Sequence, residues 1–153
     1  MQIISAEHHL PLVRELIVEY TQWLGVDLCF QGLQDELAHL ENKYLPPFGG
    51  LLIALDDSGA AAGCCAFHWL DAKRAEMKRL YVRPQYRGQA LGSRLARRVM
   101  DAAFAEGAEE ILLDTLDTLT SALALYRRLG FEEIPPYYGN PLPGVVYFRK
   151  RRP

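Results

Sequence analysis

Apolar residues recur along this chain with two different periods, and the switches between them divide it into elements. In residues 9–24, Leu12, Val13, Leu16, Ile17 and Tyr20 fall on one helical stripe that Gly25 is placed to end. Leu33, Leu37, Leu40 and Tyr44 repeat the spacing, which predicts a second helix over residues 33–44, closed by Pro46 and Pro47. Residues 50–55 and 61–70 are apolar runs on either side of Asp56-Asp57-Ser58-Gly59, the composition of a hairpin turn. Residues 73–82 supply a third antiparallel strand, stopped by Pro84, which has no N–H to donate to a ladder.

The helical period returns at Leu91, Leu95, Val99 and Ala102, with Arg94, Arg97, Arg98 and Asp101 off the stripe and Gly107 as a C-cap. Residues 109–115 read as a strand that a strand-helix-strand crossover leaves parallel to its predecessor. A helix over 118–129 gathers Ala122, Leu125, Tyr126 and Leu129 on one side and stops at Gly130. Two last strands, 131–134 and 145–150, flank a proline-rich loop that carries Tyr137-Tyr138-Gly139-Asn140. With a short first strand at residues 2–5, the order is β-α-α-β-β-β-α-β-α-β-β. This predicts an α/β chain with a mixed, mostly antiparallel central sheet and helices on both faces.

Composition narrows the picture. The 153 residues are half hydrophobic and about a quarter charged, which suits a single domain with one substantial core. The N-terminal stretch has no basic leader and no segment approaches a membrane span, so a cytoplasmic, membrane-free protein is expected. Cys29, Cys64 and Cys65 are odd in number, and two are strand neighbours facing opposite ways, which argues for reduced thiols. His8, His9, His39 and His68 lack metal-ligand spacing, and no metal is expected.

Net charge of −2 conceals an asymmetry. Residues 1–72 contain Arg14 and Lys43 as their only basic side chains, whereas residues 73–98 hold nine basic ones against Glu76 alone. A polyphosphate nucleotide suits the basic block, and the acidic front favours a cationic second substrate. Nucleic acid is disfavoured, because aromatic residues are not interleaved with the arginines as single-strand binders require.

The basic block contains the most informative stretch. A strand ending in Leu80-Tyr81-Val82, a turn carrying Gly88 and a helix starting near residue 90 make an anion site, since the first N–H groups of the helix are unpaired and the dipole is positive there. Arg87-Gly88-Gln89-Ala90-Leu91-Gly92 resembles the Q/R-x-x-G-x-G/A signature of the GCN5-related N-acetyltransferase (GNAT) superfamily, with Ala90 in place of the first motif glycine. Further on, Ala122-Leu123-Ala124-Leu125-Tyr126-Arg127-Arg128-Leu129-Gly130-Phe131 resembles that superfamily's A-x-x-L-Y-x-x-x-G-F segment, and the element order matches its fold over essentially the whole chain.

The resemblance implies an acyltransferase that moves an acetyl group from acetyl-CoA to a primary amine of a small molecule, amino acid or peptide. It implies main-chain contacts to the cofactor from Leu80, Tyr81 and Val82, and a diphosphate loop of Arg87, Gly88, Gln89, Ala90, Leu91, Gly92 and Ser93. It places a catalytic base at Glu76, expected on one strand face with Lys78, Leu80 and Val82, and a hydroxyl donor to the leaving sulfur at Tyr126. Trp23 and Phe30 stand near the helical pair that walls the acceptor pocket in that superfamily. Leu119 occupies a position where many members carry asparagine, so a polar contact there falls to Asp117 or Thr118. Ala90 and Leu119 together leave a second reading, a non-catalytic acyl-CoA-binding sensor on the same fold. A homodimer joined by strand pairing is compatible with the superfamily.

Overall fold

The structure, a computed structural model, describes residues 1–28 and 32–153; Cys29 and Phe30 lie outside the described residues. Its strands are β1 (Gln2–Ser5), β2 (Gly49–Leu55), β3 (Ala61–Trp69), β4 (Arg74–Val82), β5 (Glu110–Leu116), β6 (Glu132–Ile134) and β7 (Val145–Arg151). They form one seven-stranded sheet in the order β1-β2-β3-β4-β5-β7-β6. Every neighbouring pair is antiparallel except β4 and β5, which run parallel, as a strand-helix-strand crossover between neighbours predicts. Among the described residues no helix is long and apolar enough to cross a membrane.

The helices are α1 (Leu10–Leu24), α2 (Leu33–Ala38), α3 (Glu41–Tyr44), α4 (Leu91–Ala105) and α5 (Thr120–Arg128). Alternation along the strands sorts the apolar side chains into two buried clusters, one on each face. Val13, Leu16, Ile17, Leu40 and Tyr44 from the first three helices pack with Leu51, Ile53, Cys64 and Tyr81. Leu95, Val99, Ala103 and Tyr126 from the last two pack with Cys65, Phe67, Ile111, Leu113 and Phe148. The neighbouring cysteines thus enter opposite clusters as buried free thiols. Asp56 organises the β2–β3 turn by accepting hydrogen bonds from the Ser58 and Ala60 amides, and its other oxygen accepts from Tyr86 at 2.6 Å, tying this turn to the loop after β4.

Two sequence expectations are corrected. The single helix over 33–44 is two short pieces, because His39 leaves helical geometry with φ −138° and ψ 53°. Pieces this short do not hold themselves together, so burial of Leu33, Leu40 and Tyr44 against the sheet decides their conformation.

The second correction bears on the site. Cys64 faces Tyr81 while Ala66 faces Lys78, so β4 carries one extra residue, and Arg79 sits there with φ 60°. The bulge shifts the strand's phase. Leu80 and Val82 pack on the α4–α5 side, while Tyr81 joins the α1 side and Arg79 reaches Glu36 of α2. Glu76 and Lys78 therefore do not share a face with Leu80 and Val82, since a period of two survives only along an unbroken ladder. Pairing of β4 with β5 runs through Arg74, Ala75 and Glu76 only. Past that point the two strands diverge and leave a wedge in the sheet.

Candidate active site

At the α4 end of the wedge, a strand, a turn and a helix N-terminus meet. Pro84–Tyr86 form one 3-10 turn after β4, and Gly88 takes φ 81°, a conformation glycine adopts freely. Ala90 is the α4 N-cap, and it has no side-chain hydrogen bond to offer the helix; no acidic residue stands in the first turn. The N–H groups of Leu91, Gly92 and Ser93 thus lie at the positive end of a 15-residue helix dipole with no carboxylate to meet them.

Ala90 has φ 58° and ψ 20°, so the methyl group at this motif position sits in left-handed backbone. That conformation costs an L-residue about 1–2 kcal/mol, partly offset by the smaller unfolded-state entropy of alanine relative to glycine. Ala90→Gly is expected to raise stability by about 0.5–1 kcal/mol. Urea unfolding reads this directly, and an unchanged or lowered midpoint would show that the turn is unstrained.

From this turn a groove of about 370 Å³ runs along Arg87, Gly92, Tyr81, Val82 and Leu80 to Tyr126, walled by Trp23 and Thr118. Arg83 N–H bonds back to Ala62 on β3, so alternation turns the Val82 and Leu80 amides away from β3, toward the wedge. Val82 carbonyl is taken by Arg87 Nε at 3.0 Å, and the Arg87 guanidinium lies 5.0 Å from the Trp23 ring centre and 5.9 Å from that of Tyr81. Its side chain is thus held over the groove wall by two aromatic faces. Of the substitutes proposed for the missing asparagine, Thr118 lines the groove while Asp117 lies against Gly144.

Tyr126 stands where the groove meets a narrower cavity of about 60 Å³, also lined by Met77, Lys78, Leu80, Asp114, Leu119, Asn140 and Leu142. Its ring packs on Phe131 and Phe148, and burial pushes the phenol well above its ordinary value of 10.0. Asp114 is fixed by the proline-rich loop. Tyr138 hydroxyl and Asn140 Nδ2 both donate to its Oδ2, the latter at 2.8 Å, and Tyr147 hydroxyl secures the loop through Tyr138 carbonyl at 2.9 Å.

Glu76 does not line this cavity. It lies in an adjoining mouth with Lys43, His68, Arg74, Lys78, Tyr137 and Tyr138. His68 Nε2 is 2.7 Å from its Oε1, and Tyr137 hydroxyl donates to its Oε2. Burial pushes the carboxyl up, but the His68 hydrogen bond, the Lys78 charge and the Tyr137 hydrogen bond outweigh it and hold it at about 2. A carboxylate engaged at both oxygens is a pin between strand and loop more than a waiting base. His68 and Asp114 had no role in the sequence reading, which took Lys78 only as a strand neighbour of Glu76 and Tyr137 only as part of the proline-rich loop. Only the 68–76 cross-strand register could have announced the first of them, and registers emerge on folding.

A groove from an uncapped helix to a buried tyrosine, opened by splayed parallel strands, defines an acyl-carrier transferase. The match to the Acetyltransferase (GNAT) family model over residues 13–131 establishes that the chain belongs to that family, acyltransferases that take their acyl group from acetyl-CoA. The chain is 47% identical over 135 residues to an uncharacterized N-acetyltransferase of Schizosaccharomyces pombe, covering 88% of this chain and 83% of the other. A crystal structure of an acetyltransferase from Streptococcus agalactiae superposes with TM-score 0.83 at 26% identity over 99% of this chain and 98% of that one. A Salmonella typhimurium acetyltransferase solved with its cofactor acetyl-CoA shares the fold, with TM-score 0.73 at 19% identity over 99% and 93% of the two chains. The protein is an N-acetyltransferase by family. Among the described residues no group of three or more His, Cys, Asp or Glu could hold a metal.

Proposed function

We propose that this protein transfers the acetyl group of acetyl-CoA to the primary amine of a small acceptor by direct attack. The supporting observation is the continuous groove from the α4 N-terminus to Tyr126 between diverging β4 and β5. The diphosphate takes the main-chain N–H groups around Arg87, Gly88, Gln89, Ala90, Leu91, Gly92 and Ser93. The pantetheine arm pairs with the Leu80 and Val82 amides as an added strand would, with Tyr81 beside it on the groove wall.

In the transfer the amine nitrogen bonds to the thioester carbon and the C–S bond breaks. The amine proton passes to a carboxylate of the cavity wall, for which Asp114 is better placed than Glu76, because Asp114 lines the same cavity as Tyr126. The departing sulfur takes a hydrogen bond from Tyr126 and is then protonated from solvent, giving the N-acetyl product and free CoA. Isothermal titration with acetyl-CoA tests the donor site. A Gly88→Pro variant is expected to lose at least tenfold in affinity, because proline cannot adopt φ 81°. Equal affinity in both proteins would remove the loop from the argument, and binding without an acetylated product on any amine would favour the sensor.

A further inference from the structure

We propose that the acceptor is a zwitterion, an amino acid or close analogue, whose anionic group is held by Lys78 while its amine is turned toward Asp114. The inference rests on the transferase reading above and names the substrate class of that same site.

Lys78 is the pivotal group. Its side chain is only 9% exposed, and its nearest carboxylate oxygen, Glu76 Oε1, is 3.8 Å away, beyond hydrogen-bond length. Among the described residues its ammonium group makes no hydrogen bond within the chain. Glu76 gives it an opposite charge, but both carboxylate oxygens already accept hydrogen bonds from or lie against His68 and Tyr137, so the ammonium donors stay without a hydrogen-bond acceptor. A desolvated ammonium without hydrogen bonds is costly unless an anion meets it, and Lys78 lines both the cavity of Tyr126 and the adjoining mouth.

The mouth has an excess of positive charge. Lys43 and Arg79 share the single carboxylate Glu36, and Arg74 is paired with Asp71. With Lys78, the cations lining the mouth are Lys43, Arg74 and Lys78, against the carboxylate Glu76. Of the acids of the N-terminal half, which in sequence suggested a cationic acceptor, Glu15 and Glu19 pair with Arg83, Glu36 with Arg79 and Asp71 with Arg74.

Across the wedge stands one carboxylate of opposite sign. Asp114 accepts both of its hydrogen bonds at Oδ2, from Tyr138 and Asn140, which fixes the group and leaves Oδ1 without a donor among the described residues. A cation on β4 and an anion on β5, both on the wall of the Tyr126 cavity, are complementary to a molecule carrying a carboxylate and an ammonium a short distance apart. A plain alkylamine leaves Lys78 unmatched, and a diamine is repelled by it. The amine end then lies on the Asp114 side, where loss of its proton creates the nucleophile.

The experiment compares matched acceptors, each amino acid against its amide and its decarboxylated amine, by release of free thiol from acetyl-CoA. The free acids are expected to exceed both partners at least tenfold in kcat/KM. Lys78→Met is expected to raise the acceptor KM about 10- to 100-fold, the value of a hydrogen bond between charged groups, to abolish the preference for the acid, and to leave the acetyl-CoA Kd unchanged. Lys78→Arg, which keeps the charge, should retain the preference, and thermal unfolding of each variant shows that it is folded. Amides or amines used as well as the acids, or an acid preference that survives in Lys78→Met, overturns the proposal. So does binding of acetyl-CoA by a protein that acetylates no zwitterion while the transferase reading stands. Failure of wild-type protein to bind acetyl-CoA instead removes the transferase reading, and this inference with it.

Discussion

Tyr126→Phe is expected to lower kcat by about 10²- to 10³-fold, the usual loss when one fixed hydrogen-bond donor to developing negative charge is removed. Burial holds this phenol well above its ordinary value of 10.0, whereas a thiol titrates near about 8.5. The proton therefore stays on oxygen, and the tyrosine acts by hydrogen-bonding the thiolate as it leaves rather than by giving up its proton. The hydroxyl makes no hydrogen bond within the chain among the described residues, so its removal leaves no buried partner unsatisfied, and the ring keeps its contacts with Phe131 and Phe148. Unfolding free energy should change by less than about 1 kcal/mol, and acetyl-CoA affinity should be nearly intact. Turnover within threefold of wild type would reduce Tyr126 to a packing residue.

The second large effect concerns stability. Glu36 is 5% exposed and receives Arg79 Nε at 2.8 Å and Nη2 at 3.0 Å, with Lys43 Nζ at 3.1 Å. Glu36→Ala strands the Arg79 guanidinium in the interior and is expected to destabilise the fold by about 3–5 kcal/mol. Because this pair also secures the left-handed residue of the bulge, the same variant should widen or close the wedge and impair acetyl-CoA binding as well. A Glu36→Leu, Arg79→Met double variant should cost clearly less than the two single changes together, since neither charge is then left alone.

The pair also predicts an acid response. Burial pushes the Glu36 carboxyl up, but the Arg79 hydrogen bonds and charge, aided by Lys43, hold it at about 2 against an ordinary 4.5. A depressed carboxylate contributes stability in full above its unfolded value and loses it as pH falls through the folded one. About 3 kcal/mol should therefore disappear between about pH 4.5 and pH 2. Urea unfolding across that window should show a shallower decline in Glu36→Gln than in wild type. Parallel declines would show that the pair is not linked to folding.

Much of the chain was legible before folding, for reasons that are local. Gly25, Pro84, Gly107 and Gly130 punctuate elements by their own backbone limits, and the observed strands and helices end within a few residues of those signals. The anion turn was equally visible, because a helix N-terminus after a strand and a glycine is a property of contiguous residues. Legibility failed at β4. Alternation put Glu76 in line with Leu80 and Val82, and nothing between them is a residue that favours positive φ.

Sequence by itself determined most of the order of elements, the family and the strand-turn-helix that ends in an uncapped helix N-terminus, all of which depend on near neighbours along the chain. Tertiary structure decided the rest. Arg79 enters left-handed backbone beside Glu36, a partner 43 residues away, and the one-residue offset that results reassigns every later side chain of β4. The offset puts Leu80 and Val82 on the face opposite Glu76 and Lys78, and the parting of β4 from β5 beyond Glu76 leaves Lys78 and Asp114 on the wall of one cavity. Charge in the sequence told only how many acids and bases there were; which of them lack a close partner depends on distances that exist only once the sheet has closed around them.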